Sequence, residues 1–116
     1  MKRSVRCFIA LLLVVLLFVQ ATPAKAATDF IPAALKSVVF DPVYYAANNP
    51  DVVKVYGTTA AKLYEHFLDF GIKEGRQGSP TFHVKYYWNN NGGKKNPNKT
   101  PNYISEMQHF VNHGWK

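Results

Sequence analysis

His109 and His113 stand four residues apart, a spacing at which one helical face can offer two imidazoles to a single metal ion. No glutamate follows His109, as a metalloprotease helix would require, and Phe70 holds the place of His113 in an earlier copy of the same segment. The pair therefore reads as packing residues, and no metal site is expected. His66 recurs as His109, which suits an imidazole kept in an interior hydrogen bond to a neighbouring turn. Glu65, Asp69 and Glu74 are of the residue type that hydrolyses glycosides. Forty-three residues on, however, Gln108 and Asn112 stand where Glu65 and Asp69 stood, keeping a hydrogen-bonding shape and abandoning the charge. Ser79 and Ser105 lack a nucleophile setting, and no glycine loop precedes a helix in the manner of a phosphate cradle. A catalytic set is not expected, nor is a cofactor.

The aromatic residues are the remaining chemistry. Tyr44, Tyr45, Tyr86, Tyr87, Trp88 and Trp115 carry flat rings with polar edges that suit sugar faces or a partner protein. The tyrosine pairs read as core filling. Trp88, beside a polar stretch, and Trp115, near residue 116, are expected at the surface, and with Lys94, Lys95 and Lys99 they form the expected contact set.

These side chains belong to a sequence that says one thing twice. Phe40-Asp41-Pro42-Val43-Tyr44-Tyr45 returns as Phe82-His83-Val84-Lys85-Tyr86-Tyr87, and His66-Phe67-Leu68-Asp69-Phe70-Gly71 as His109-Phe110-Val111-Asn112-His113-Gly114. A recurrence of 42 to 43 residues in two separate blocks marks an internal duplication of a stacking unit. The reading is all-α: a lead-in at 27–38, one short-helix repeat at 39–80, and a second, degenerate and truncated, at 81–116. Asp41-Pro42 and Asn49-Pro50-Asp51 each provide a capping side chain, a proline at the first helical position and, in the second case, a negative charge at the positive helix end. Ala60, Ala61, Tyr64, Phe67, Leu68 and Gly71 recur at helical spacing, with Thr58 or Thr59 as cap and Gly71 as stop. Glu74 and Arg76 are expected to pin the turn between units. In the second unit, residues 89–99 replace the Val-rich helix of the first with polar, helix-poor residues and are expected as a loop.

At the start, Lys2, Arg3 and Arg6 precede an apolar run from Phe8 to Val19, followed by small residues at Ala24-Lys25-Ala26-Ala27. This is the layout of a secretory signal peptide at 1–26. As a helix the run rises only about 18 Å, against a hydrocarbon core of about 30 Å, so a membrane anchor after cleavage is not expected. Cys7, the one cysteine, falls in that segment, so the exported chain has no disulfide. Fourteen Lys and Arg against seven Asp and Glu give a charge of +7, and loss of Lys2, Arg3, Arg6 and Lys25 with the signal reduces it to +3. So small an excess, concentrated at Lys94, Lys95 and Lys99, argues against nucleic acid as the partner.

Phe40-Asp41, Tyr44-Tyr45, Asn49-Pro50-Asp51-Val52, His66-Phe67, Gly71, Glu74-Gly75-Arg76, Ser79 and Phe82 together resemble a helical repeat of secreted or surface-attached bacterial proteins. In that family the repeat accompanies cell-wall hydrolase, glycosidase or haemolysin-type modules. The resemblance covers residues 38–116, and strongly so through Phe82. It implies a noncatalytic accessory module, extracellular or at the cell surface, with a cell-wall polymer, glycan or surface protein as partner. Phe40, Asp41, Tyr45, Asn49, Pro50, Asp51, His66, Phe67, Gly71, Glu74, Arg76, Phe82, Tyr87, His109, Phe110 and Gly114 would be its scaffold residues. A homodimer through the exposed repeat end and, as an alternative function, a small cationic secreted effector acting on membranes or a protein partner also fit the sequence.

Overall fold

Asp41 shows how this sequence starts a helix. Its Oδ1 accepts from the Val43 and Tyr44 amides at 2.9 and 3.1 Å, while Pro42 at the first helical position has no N–H to waste. In the computed structural model, residues 28–115 are described; the expected signal peptide, residues 1–26, lies outside them. Among the described residues all regular structure is helical: α1 (Ala33–Val39), α2 (Pro42–Asn48), α3 (Pro50–Tyr56), α4 (Ala60–His66), α5 (Val84–Asn90), α6 (Gly92–Lys95) and α7 (Tyr103–His109). A π-helical turn, Phe67–Gly71, continues α4, and another, Phe110–Gly114, continues α7. None of these helices is long and apolar enough to cross a membrane.

The expected lead-in becomes part of the fold. Leu35 and Val39 of α1 are buried, and Asp29 binds the Ile31 amide (3.0 Å), the Tyr64 hydroxyl (2.8 Å) and the Lys36 ammonium (2.8 Å). Burial works against the Asp29 charge, but the bonds from Lys36, Tyr64 and the Ile31 amide hold its carboxyl below the ordinary value.

Asn49 departs from its expected part. It occupies the N-cap position of α3, yet its side chain caps nothing: Nδ2 donates to the Tyr45 carbonyl at 2.8 Å, and Oδ1 accepts from Arg76 at 2.8 Å. Arg76 pins the turn through Glu74, as expected, but also reaches both oxygens of Asp51 at 3.0 and 2.7 Å. One guanidinium therefore ties the turn after Gly71 to the start of α3, and these bonds hold the Asp51 carboxyl below its ordinary value.

Gly71 ends the π turn that continues α4, as expected, but it is not where the chain reverses. Chain reversal falls at Gly75, which has φ 69°, whereas Gly71 is needed because a Cβ there would collide with the Tyr45 hydroxyl. The stretch 89–99 is not the irregular loop expected either. α5 runs through Asn90, and Gly92–Lys95 forms α6, seated directly on Trp88. With no side chain at Gly92 and Gly93, the backbone can lie on the indole, and apolar contact there offsets a poor helix propensity.

The two halves meet along the end of α1. The Asp41 amide donates to the Gly78 carbonyl at 2.9 Å. The Ser79 and Thr81 hydroxyls both donate to the Val38 carbonyl, at 2.5 and 2.7 Å, and buried Ser79 accepts from the Phe82 amide. The hydroxyls thus satisfy a carbonyl at a helix end while starting the second half. A single apolar core spans both halves, from Ile31, Leu35 and Val39 through Leu63, Phe67 and Ile72 to Phe82, Met107 and Phe110.

Candidate functional site

Tyr45 extends from α2 onto the junction of α4 and its π turn. Its hydroxyl meets His66 Nδ1 at 2.9 Å, its ring stands edge-on to Phe67 at 5.6 Å, and Gly71 passes beneath its hydroxyl. In the second half Tyr87, on α5, meets His109 Nδ1 at 2.6 Å, stands edge-on to Phe110 at 5.5 Å and lies over Gly114. Asn91 donates to the Tyr87 carbonyl at 2.8 Å, just as Asn49 does to that of Tyr45. The exposed His113 ring lies tilted against His109 at 5.4 Å where Phe70 lies tilted against His66 at 5.6 Å, so it makes the ring contact its position suggested. The histidine partner is a phenol rather than the backbone of a turn, and only His66 is interior.

The covers differ. In the first half Tyr56 of α3 stands edge-on to His66 at 4.9 Å, and His66 is 6% exposed. At the position corresponding to Tyr56 the second half has Asn98, and His109 is exposed. Buried Leu63 of α4 is matched by Glu106 of α7, and half-buried Val53 of α3 by Lys95 of α6. The outcome is a groove of about 210 Å³ lined by Asn91, Gly92, Lys95, Ser105, Glu106 and His109. Burial and, after it, the Glu106 charge raise the Tyr87 phenol above its ordinary value.

The expected contact residues separate. Trp88 is a correction: it is 7% exposed, covered by the Gly92-Gly93 backbone, because α6 folds over it instead of leaving a loop beside it. Lys94 and Lys95 of α6 and Lys99 in the turn that follows are exposed, and of these Lys95 lines the groove. Trp115 is half-exposed, its indole N–H bonded to the Val111 carbonyl at 2.7 Å. Glu65 pairs with Lys62 at 3.2 Å on an exposed face, as a solvated carboxylate does. Ser105, Glu106, His109 and Asn91 were not expected as lining residues. The signal lay in the substitution of Leu63 by glutamate and Val53 by lysine within an otherwise kept apolar frame. Among the described residues no three His, Cys, Asp or Glu side chains form a group able to hold a metal. Comparison with protein-family models, curated proteins and solved structures gives no match.

Two outcomes follow from this geometry. Tyr45→Phe strands a buried imidazole nitrogen and is expected to lower stability by about 1–3 kcal/mol in urea denaturation, while Tyr87→Phe, whose histidine reaches water, costs under about 1 kcal/mol. Burial, and then the positive charge of Arg76, lower the His66 pKa, so the unfolded chain binds the additional proton more readily. Stability is full above the unfolded value of about 6.5 and falls as pH drops through it towards the lower folded value. Melting temperatures between pH 7.5 and pH 5 should show this fall in the wild type and a flatter profile in His66→Gln.

Proposed function

We propose that this protein is a secreted, noncatalytic binding module of the bacterial envelope, built from two copies of one helical repeat and directed at a cell-wall polymer or glycan. The observation that carries the reading is the double occurrence of one constellation, Tyr45–His66–Gly71 and Tyr87–His109–Gly114, with matching ring and hydrogen-bond geometry. The residues kept between the copies are those that hold the frame, as a stacking scaffold requires. The charged residues are not kept: Glu65 and Asp69 become Gln108 and Asn112, which supports a binding role over an acid–base one. Contact with the polymer falls to the second copy, where Lys94, Lys95 and Lys99 are exposed and the groove opens beside Lys95.

Cosedimentation of the purified protein with insoluble cell-wall material, at low and at physiological salt, tests this. Wild type is expected to sediment with the wall, and replacing Lys94, Lys95 and Lys99 by glutamate to reduce the bound fraction several-fold. Binding that persists where the screening length is about 8 Å points to a shaped sugar site, and binding lost there to adhesion on anionic polymer. No sedimentation at either salt would contradict the proposal.

A further inference from the structure

The second half differs from the first at three apolar positions of α3 and α4. Tyr56 stands edge-on to His66, and Leu63 and Val53 pack in the apolar core; Asn98, Glu106 and Lys95 hold the corresponding positions in the second half, and of these Glu106 and Lys95 line the groove with His109. A drifting copy that had merely lost its core would retain apolar residues exposed to water or become unfolded. Here the frame persists, with the Tyr87–His109 bond, the Phe82–Phe110 stack at 4.0 Å and the Asn91 bond to the Tyr87 carbonyl all in place. What changed is the chemistry of one concavity.

Each lining group has hydrogen-bonding capacity left over. Asn91 spends Nδ2 on the Tyr87 carbonyl and retains its amide oxygen, whereas the oxygen of Asn49 is taken by Arg76. His109 spends Nδ1 on Tyr87 and keeps Nε2. The Ser105 amide is engaged by Asn102, which leaves the hydroxyl. Lys95 and Glu106 have no ion-pair partner among the described residues. Lys95, Ser105 and His109 can donate; Asn91, Glu106 and Ser105 can accept. One positive and one negative group give no net attraction for an anion, and the lysine ammonium disfavours a metal ion.

We propose that this groove is a subsite for one neutral sugar unit, whose adjacent hydroxyls both donate and accept and so match alternating donors and acceptors. This rests on the envelope-glycan reading and names the residues that would take the sugar. The Gly92 backbone provides the floor: a side chain there would press on Trp88 at 2.5 Å and stand 3.1 Å from the Glu106 carboxylate. Glycine at this position therefore keeps the groove open as well as letting α6 lie on the indole.

The test is an amide NMR titration of the full chain with glucose, N-acetylglucosamine and a soluble tetramer of the latter, with inorganic phosphate and glycine as charged controls. Saturable shifts confined to residues around Asn91, Lys95, Ser105, Glu106 and His109, with a tenfold or greater loss of affinity in Glu106→Leu and Lys95→Val, are expected. Both substitutions install the residue found at the same place in the first half, so the fold is preserved, and retention of the remaining spectrum checks it. No shift with any sugar, equal shifts in the two variants, or saturation by phosphate or glycine alone would overturn the subsite. Wall sedimentation that persists unchanged in Glu106→Leu would overturn the groove while leaving the envelope reading intact.

Discussion

Each half of the described fold is built on a phenol hydroxyl bonded to an imidazole over a glycine. Helices of seven residues have little stability of their own, because nucleation is costly and few bonds repay it. They persist where something ties them across the chain, and the Tyr45–His66 bond spans 21 residues from α2 to the end of α4. The ring that makes it also stands against Phe40 and Phe67, so the polar tip and apolar body of one side chain serve two requirements. Gly71 follows from that choice, since a larger residue would occupy the space of the hydroxyl. Arg76 then closes the unit from outside: it pairs with Asp51 and Glu74 and donates a hydrogen bond to the oxygen of the buried Asn49 amide, which would otherwise lack a partner.

The second half shows what such a frame tolerates. Position 51 is an aspartate that Arg76 binds, and at the matching place Gly93 is pressed on Trp88, so apolar contact stands where the first half has a polar clamp. The tyrosine, histidine, glycine and phenylalanine of the frame stand in both halves, and the helix between them has seven residues in α3 and four in α6. A scaffold fixed by a few cross-chain contacts can lose a cover and expose its histidine without losing its path. In our proposal, that is how a structural unit becomes a binding one.

The all-helical class was legible because its signals are local: Asp41 and Pro42 open a helix by their own chemistry, and apolar spacing marks α4 as helical, although Ala60 and Ala61 are exposed and the residues it buries are Leu63 and His66. The Glu74–Arg76 turn was legible for the same reason. Less legible was whatever depends on a distant partner. Asn49 has the chemistry of a cap, and only the approach of Arg76 and the Tyr45 carbonyl gives its side chain other work. Gly71 does end its helical run, but the reason no side chain fits there, the Tyr45 hydroxyl above it, lies 26 residues away in sequence. Trp88 lies among asparagines, glycines and lysines, a composition that signals exposure, yet the two glycines are what allow the backbone to cover it. Of the candidate site, Lys95 was found from charge alone, while Glu106 and His109 required knowing which positions face the same hollow.

Both histidines are held by tyrosine hydroxyls. A long-range proton–nitrogen NMR spectrum of the imidazoles near pH 8 reads this directly. His66 and His109 are each expected to be fixed in the tautomer protonated at Nε2, with Nδ1 accepting from the phenol, and Tyr45→Phe and Tyr87→Phe each to release the histidine they face. Rapidly averaging tautomers in the wild type, or histidine signals that ignore loss of the hydroxyls, would contradict it.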